Sequence, residues 1–322
     1  MVPDVSAFGD NVILPFHLAS GEFRGRLVRA GRAVGDTLAG HDYPPVVAAL
    51  VAETVVLGVA LSSVLKYDGV FTLQIQGDGP VRALIADVTS AGMVRAVARY
   101  DAGRLPAGEP PAAGRLAALI GQGHLAFTVD QGPHTERYQG IVQIEGDSLA
   151  ACAQRYFDLS EQLPTTLLVA TRPPVAGDEA WGATALLLQR MPRTAGPAAD
   201  DGGTDWDDAW ETASVLMRSL TPAELTDPAL TPEALLRRPF HAQDLRLAAP
   251  RPVFYGCRCS ARKVARALLT LPVEERESLA ENGTIDVTCE FCKATYALTP
   301  SELEALCAEP SPGPSGEPSG SA

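Results

Sequence analysis

The chain has 322 residues, of which 46% are hydrophobic, and it carries a formal net charge of -13 at pH 7. This length predicts more than one folding unit, and the apolar share is sufficient for a buried core. The negative charge disfavours broad attraction to nucleic acids or to anionic membranes, so we expect neither as a partner.

The longest apolar run covers residues 46–61. It contains Glu53 and Thr54 and is shorter than a membrane-spanning helix needs to be, so it is predicted to be a core helix. The first residues, MVPDVSAFGDNVILPF, lack the basic region, apolar stretch and cleavage site of an export signal. We therefore expect a cytoplasmic protein, in which the six cysteines stay mostly reduced.

Residues 1–192 mix strand and helix patterns, which predicts an α+β domain. The alternating run Phe71-Thr-Leu-Gln-Ile-Gln76 and the strand-like residues 81–85 flank Gly77-Asp-Gly-Pro80, and this arrangement predicts a β-hairpin. Glycine at that junction suits a turn that needs unusual backbone angles. A second such hairpin is predicted from residues 125–129 and 138–144, and helices are predicted at residues 46–65 and 147–157.

Residues 193–250 differ in composition and predict a linker of short helices. After a loop rich in Ala, Gly, Pro and Asp, apolar residues recur at three- and four-residue steps. This stripe consists of Trp206, Trp210, Ala213, Met217 and Leu220. Two more helices are predicted to begin at the capping box Thr221-Pro-Ala-Glu224 and at Thr231-Pro-Glu233. Ten acidic residues against four arginines at positions 200–250 should weaken the linker by repulsion once it detaches.

Residues 251–308 predict a small C-terminal domain that ends in a helix capped at Thr299-Pro-Ser-Glu302. Residues 309–322 are rich in Pro, Gly and Ser and are predicted to be disordered. Within the domain, Cys257-Arg-Cys259 and Cys289-Glu-Phe-Cys292 are separated by 29 residues. Each pair supplies two thiolates from one tight turn, which is typical of a tetrahedral zinc site.

The sequence thus predicts one zinc ion bound by Cys257, Cys259, Cys289 and Cys292. Four sulfurs close the coordination sphere and leave no position for water activation, which argues against a hydrolytic centre. Arg258, Arg262, Lys263 and Lys293 are near enough in sequence to offset the negative charge of four thiolates. A purely structural zinc site is one interpretation. The other is redox sensing, because neighbouring thiolates can be oxidised to disulfides with release of the metal.

This cysteine pattern resembles that of the redox-regulated 33 kDa heat-shock chaperones of bacteria. The resemblance extends in order over residues 10–300 and includes five further blocks upstream. These blocks are Arg24-Gly-Arg-Leu-Val-Arg29, His41-Asp-Tyr-Pro44, Leu65-Lys-Tyr-Asp-Gly69, Leu73-Gln-Ile-Gln-Gly-Asp-Gly-Pro80 and Leu186-Leu-Leu-Gln-Arg-Met-Pro192. Two features depart from the family: Cys152 and Cys307 are additional cysteines, and the loop at residues 195–203 is expanded.

The resemblance implies an N-terminal mixed α/β chaperone domain, a metastable helical linker and a small C-terminal zinc-binding redox switch. Oxidation would form Cys257–Cys259 and Cys289–Cys292 disulfides, eject zinc and loosen the linker. The exposed apolar surface would then hold unfolding client proteins without ATP, as a homodimer, and without any enzymatic reaction.

Two alternatives remain open at this point. The first is a thiol–disulfide oxidoreductase that uses Cys289-Glu-Phe-Cys292, although such enzymes place this motif at the start of a helix. The second is a nucleic-acid-binding zinc ribbon that uses Arg258, Arg262, Lys263 and Arg266, which the acidic composition disfavours.

Four other residues have simpler predictions. Cys152 lies in a helical pattern and is predicted to be a buried, inert thiol. Cys307, next to the tail, is predicted to be exposed. Arg29 and Arg32 are predicted to lie on a solvated helix face.

Overall fold

The computed structural model describes residues 9–308 except 19–21, 109, 133–134, 136, 176–180, 193–202 and 281. The chain forms two compact units, residues 1–256 and residues 257–322. Both contain helices and strands, which confirms the predicted α+β class. The predicted disordered tail and most of the expanded loop lie outside the described residues.

The first unit contains most of the secondary structure. Its elements in chain order are β1 (Asn11–Leu18), β2 (Phe23–Ala30), α1 (Arg32–Leu38), α2 (Pro45–Ser63), β3 (Val70–Gly77), β4 (Val81–Thr89), β5 (Met93–Tyr100), α3 (Arg115–Leu119), β6 (Gly123–Asp130), β7 (Tyr138–Gln143), α4 (Leu149–Tyr156), β8 (Thr165–Arg172), β9 (Gly182–Arg190), α5 (Gly203–Arg218), α6 (Pro222–Leu225), α7 (Pro232–Phe240), β10 (Arg246–Leu247), β11 (Arg251–Pro252) and β12 (Phe254–Tyr255). The region predicted from residue 193 as a linker therefore forms three helices and three short strands in its described part and just beyond it.

Two β-sheets organise the first unit. The first sheet has the order β10-β1-β2-β9-β8, with β11 also paired to β1, and its pairings are antiparallel. The second has the order β12-β5-β4-β3-β6-β7, in which only the pairing of β12 with β5 is parallel among the described residues. The short strands that precede the cysteine region thus extend both sheets.

Both hairpins predicted from the sequence are present. β3 pairs with β4, and β6 pairs with β7, each in antiparallel register. Glycine in the first turn is not explained by the unusual backbone angles that the sequence suggested, because neither Gly77 nor Gly79 has a positive φ. A Cβ atom at Gly77 would lie 2.1 Å from the carbonyl oxygen of Ile120, and Gly79 N donates to that same oxygen at 2.8 Å. Close backbone approach therefore requires glycine here.

Helix α2 forms the centre of the core and packs against strands of both sheets. Its residues are apolar on all sides, as in a helix that is surrounded by protein. By length and composition α2 could cross a membrane, but 83% of its most apolar window is buried inside the protein. This burial is what the prediction of a core helix requires.

Helices α5 and α7 pack on the face of the first sheet that points away from α2. Ala213, Met217 and Leu220 of the predicted stripe are buried there, whereas Trp206 and Trp210 are partly buried. The ring of Trp210 lies 5.5 Å from that of Phe23, and the ring of Phe240 lies 5.8 Å from that of Phe16 (centroid distances). The stripe therefore covers an apolar sheet face that would otherwise contact water.

The predicted capping box at the start of α6 is confirmed. Thr221 Oγ1 accepts a hydrogen bond from Glu224 N at 3.2 Å, and Thr221 N donates to Glu224 Oε2 at 2.9 Å. Thr231 caps α7 in a similar way, since its Oγ1 accepts from Ala234 N at 3.1 Å. These bonds satisfy backbone groups that a short helix leaves without partners.

The prediction for Arg29 was wrong. Arg29 lies in strand β2 rather than on a helix, and its side chain is buried on the face that α5 to α7 cover. It is separated from Phe23 and Leu27 by even numbers of residues, so its side chain lies on the same buried face of the strand as theirs. Its guanidinium donates to the backbone carbonyls of Leu225, Asp227 and Leu230. Arg32 is as exposed as predicted, with 84% of its side chain accessible.

The second unit is small. It contains α8 (Ala261–Leu269), α9 (Val273–Leu279), β13 (Ile285–Thr288), β14 (Thr295–Leu298) and α10 (Pro300–Ala308). β13 and β14 form an antiparallel hairpin, and the buried core consists of Ala265, Leu268, Ile285, Leu298 and Leu303. Five buried apolar residues are few for an independent fold, so a further stabilising element is expected.

Candidate metal centre

The four cysteines of the predicted site enter from two places in the second unit. Cys257 and Cys259 lie in the segment before α8, which begins where Ser260 Oγ accepts a hydrogen bond from Lys263 N at 3.3 Å. Cys289 and Cys292 lie in the turn that joins β13 to β14. The helix cap and the hairpin register thus fix both ends of the 29-residue insert.

The hairpin turn is held by its own backbone. Cys289 N donates to the carbonyl of Ala294 at 2.9 Å, and Lys293 N donates to the carbonyl of Cys289 at the same distance. Lys293 has a φ of 58°, a left-handed conformation that bends the chain back toward β14. Cys289-Glu-Phe-Cys292 therefore occupies a tight turn and not the first turn of a helix.

All four sulfur atoms converge. They lie within 4.8 Å of one another and form, within the described residues, the one group of three or more cysteine, histidine or acidic side chains arranged for a metal. The Sγ atoms of Cys257 and Cys289 are 3.8 Å apart, and those of Cys259 and Cys292 are 3.4 Å apart. Tetrahedral zinc with Zn–S bonds of about 2.3 Å places its sulfurs about 3.8 Å apart. The donor set and its spacing therefore fit zinc.

The sulfur–sulfur separations are those of reduced cysteines. A disulfide bond needs two sulfurs about 2.0 Å apart. All six cysteines are free, so the structure is that of the reduced chain. Both of these sulfur contacts join a cysteine of the first pair to a cysteine of the second, which is how four ligands arrange around a common centre.

The thiols of Cys259 and Cys292 are held in their protonated form unless a cation joins them. Burial, followed by hydrogen bonds to the other cysteine sulfurs, raises the pKa of Cys292 to about 12. Burial likewise raises the pKa of Cys259. A metal ion reverses this preference because coordination deprotonates a thiol outright. Metal binding at this group should therefore release protons.

Tyr296 is a site residue that the sequence did not reveal. Its hydroxyl donates to Cys259 Sγ at 3.0 Å from the neighbouring strand β14, and this bond raises the pKa of Tyr296 to about 12. A hydrogen bond to a ligand sulfur stabilises its thiolate form. The tyrosine follows Cys292 by four residues, a spacing that has no recognised meaning, so only the hairpin register brings it to the sulfur.

The remaining two cysteines lie outside this group. Cys152 is fully buried in α4, where its thiol donates to the carbonyl of Glu145 at 3.2 Å and burial raises its pKa. That environment matches the predicted inert thiol. Cys307 is partly buried against the core of the second unit, contrary to the prediction that it is exposed. It follows the buried Leu303 by four residues in α10 and so shares its inward face.

Comparison with known proteins places these features in a family. The family model described as Hsp33 protein matches residues 11–299. The 33 kDa chaperonin of Caulobacter vibrioides strain NA1000 is 36% identical over 303 residues, which cover 93% of this chain and 98% of that one. The 33 kDa chaperonin of Shigella flexneri serotype 5b is 37% identical over 290 residues, with coverage of 90% and 93%.

A solved structure agrees on the fold. The crystal structure of the 33 kDa chaperonin from Thermotoga maritima superposes with a TM-score of 0.76 at 24% identity and covers 92% of this chain and 97% of that one. The family match extends over nearly the whole described chain, including both cysteine pairs. The chain belongs to the Hsp33 protein family.

Proposed function

We propose that this chain is an ATP-independent chaperone, a holdase, that is activated when its four-cysteine zinc centre is oxidised. The convergence of the sulfurs of Cys257, Cys259, Cys289 and Cys292 in one small unit is the observation that carries the proposal. Membership in a family whose relatives are named 33 kDa chaperonins supports the chaperone part. The clients are unfolding proteins, and the chain catalyses no reaction on them.

In the reduced state, one zinc ion is bound by the four cysteines. Four thiolates around Zn²⁺ have a formal net charge of about -2, which nearby basic residues would offset, and the Tyr296 hydroxyl donates a hydrogen bond to one of the ligand sulfurs. Zinc binding of this kind contributes about 10–16 kcal/mol in small modules. With five buried apolar side chains among the described residues of its core, the second unit depends on that contribution for its fold.

Oxidation removes the ligands. Each disulfide forms from two thiolates and passes two electrons to the oxidant, so formation of two disulfides transfers four electrons to the oxidant and releases the zinc ion. The family resemblance implies the pairs Cys257–Cys259 and Cys289–Cys292. A Cys-x-Cys bridge closes a small ring, and strain in such a ring makes it easier to reduce, as a reversible switch requires.

The switch would act on the client-binding surface through the linker. Residues 1–192 form the chaperone core in this scheme, residues 193–250 the metastable linker and residues 251–308 the redox switch. Helices α5 and α7 cover Phe16, Phe23 and neighbouring apolar residues of the first sheet. Release of these helices would expose that sheet face, which is the kind of surface that holds unfolded chains. We also propose a homodimer in the oxidised state and a location in the cytoplasm.

Light scattering of a heat-unfolding client tests this function. The zinc-loaded, reduced chain should leave aggregation unchanged, and the oxidised chain should suppress it without ATP. A Cys257→Ser, Cys289→Ser double variant should fail to switch with oxidant, whereas a Cys152→Ser, Cys307→Ser variant should switch normally. Normal switching by the first variant would refute the redox mechanism, and failure of both redox forms of the natural chain to suppress scattering would refute the chaperone function.

A further inference from the structure

A cavity of about 150 Å³ in the first unit has no role in the scheme above. It lies between α2, the sheet strands β3, β6 and β7, and the turn that follows α4. Its walls are mostly apolar or aromatic. The polar groups at the walls belong to Arg24, Tyr138, Tyr156 and Glu161. An apolar cavity of roughly this volume is large enough for a benzene ring.

Aromatic rings surround the cavity in contact with one another. The ring of Phe127 lies 4.6 Å from that of Tyr156 in an edge-to-face arrangement and 5.7 Å from that of Phe71 (centroid distances). Tyr138 and Phe157 extend the cluster at 6.0 Å from Phe127 and 5.7 Å from Tyr156. Such clusters accept an additional ring well, because aromatic side chains favour edge-to-face and offset contacts.

A hydrogen-bonded cluster of three polar side chains stands at one wall. Tyr156 Oη donates to Glu161 Oε1 at 2.6 Å, Tyr138 Oη donates to the same oxygen, and the two hydroxyls are 2.7 Å apart. Burial and the bond to Glu161 raise the pKa of both tyrosines, so their hydroxyls stay donors. Glu161 Oε2 receives no hydrogen bond from any residue that the structure describes.

The carboxylate of Glu161 lies at the end of an unusual backbone turn. Helix α4 passes into a π-helical turn at Phe157–Glu161, which ends at Gln162 with a left-handed φ of 53°. π-Turns of this kind are rare and often mark functional sites. Tyr138 begins β7, the edge strand of the second sheet, and is 43% exposed, so the cavity opens toward solvent at that strand.

We propose that this cavity binds a single aromatic ring bearing a hydrogen-bond donor, a phenol or an indole, with the donor directed at Glu161 Oε2. The apolar walls select the ring, and the carboxylate oxygen without a partner selects the donor. Arg24 lies at the same cavity, but its Nε and Nη2 already donate to Gln189 Oε1. The ring can come from a free small molecule or from a tyrosine or tryptophan side chain of an unfolding protein. The second source rests on the proposed chaperone function.

The test compares two nearly isosteric probes, p-cresol and p-xylene. They differ at one position of the ring, where p-cresol has a hydroxyl group and p-xylene has a methyl group. Titration of the full-length reduced chain, followed by calorimetry and by ligand-observed NMR, should show p-cresol binding at least about ten-fold more tightly. This factor corresponds to about 1.4 kcal/mol, close to the lower end of the contribution of a hydrogen bond to a charged group. Equal binding of the two probes, or no binding of either, would overturn the proposal.

Variants locate the site. Glu161→Gln retains an acceptor for the tyrosines and should reduce the preference for p-cresol about ten-fold, without loss of p-xylene binding. Leu163→Trp fills the cavity and should abolish binding of both probes. Leu159→Ala is the control, because Leu159 lies on the same turn, is 63% exposed and does not line the cavity. Unchanged p-cresol affinity in both of the first two variants would place binding elsewhere.

A competition experiment separates the two sources of the ring. An unstructured Gly/Ser peptide with one tyrosine should displace p-cresol, whereas the same peptide with leucine should not, if the ring belongs to a polypeptide. Displacement by neither peptide would restrict the site to small free molecules. This readout is independent of light scattering, so the cavity can bind its ligand even if the chaperone function fails, and the reverse also holds.

Discussion

The guanidinium of Arg29 in β2 donates a hydrogen bond of 3.0 Å to the backbone carbonyl of Asp227, 198 residues later in the chain. It also donates to the carbonyls of Leu225 and Leu230, and Thr184 Oγ1 donates to that of Leu225 at 2.8 Å. Three carbonyls at the end of α6 and in the turn that follows it thus accept hydrogen bonds from one buried side chain. Arg29 therefore attaches the proposed linker to the first sheet.

Substitution of Arg29 should release this attachment. Arg29→Met removes the hydrogen bonds from the guanidinium to all three carbonyls; Leu225 keeps Thr184 Oγ1 as a donor and Asp227 keeps Leu230 N, and we expect a loss of about 3 kcal/mol in the free energy of unfolding. Urea unfolding measures this loss, and light scattering should show partial chaperone activity in the reduced state. Arg32→Met is the matched control, since Arg32 is exposed and, among the described residues, is ion-paired to Asp36, and it should cost less than about 0.5 kcal/mol. Equal effects of the two variants would contradict the role of Arg29.

The cap of α6 should make linker stability depend on pH. The backbone N–H of Thr221, its hydroxyl and Arg238 lower the pKa of Glu224 below its ordinary value of 4.5. Because the folded pKa is depressed, the stabilisation is present above pH 4.5 and is lost as pH falls through the folded pKa. Urea unfolding between pH 6 and pH 3 should show less acid destabilisation in Glu224→Gln than in the natural chain. Glu302→Gln, with an equivalent cap in the second unit, controls for acid effects outside the linker. Identical pH profiles for Glu224→Gln and the natural chain would argue against this cap.

Metal removal should unfold the second unit alone. Its five-residue core is too small to hold α8, α9 and α10 in place once the cysteines lose their common ligand. We expect chelation under reducing conditions to lower helical circular dichroism and to speed proteolysis after residue 257, with the first unit intact. Zinc should restore both signals, at one ion per chain. A metal-free chain with a protected second unit would show that the metal is not needed for its fold.

Cys152 should not react with thiol reagents in the native chain. It is fully buried, and burial raises its pKa, so both access and thiolate formation are suppressed. Mass spectrometry after brief alkylation of the reduced, zinc-free chain should find Cys257, Cys259, Cys289 and Cys292 labelled first and Cys152 last. Labelling of Cys152 at the rate of these four would mean that α4 opens readily.

Local patterns in the sequence predicted much of the architecture. The two hairpins, helix α2, the stripe of α5 and the caps at Thr221 and Thr231 each depend on neighbouring residues, and the structure contains all of them. The cysteine spacing likewise predicted that four sulfurs would meet. In each case the signal lies within a few residues, or in residue types with one common use.

Relationships that depend on the tertiary fold were not predictable. Arg29 was assigned to a solvated helix face because nothing near it in sequence indicates its three carbonyl partners, the first of which is 196 residues away. Tyr296 reaches Cys259 only through the register of β13 and β14. The proximity of Cys307 to the tail predicts an exposed side chain. The helical period of α10 instead places Cys307 on the face that packs against the core.

We propose that loss of zinc from the four-cysteine centre and gain of chaperone activity are one event. The most direct test exposes the zinc-loaded chain to hydrogen peroxide at elevated temperature and follows both in parallel samples, with a chromophoric chelator for zinc and light scattering for activity. We expect equal half-times for zinc release and for the gain of activity, one zinc ion released per chain, and reversal of activity by thiol reductant with zinc. Full activity while zinc remains bound, or complete zinc release without activity, would contradict it.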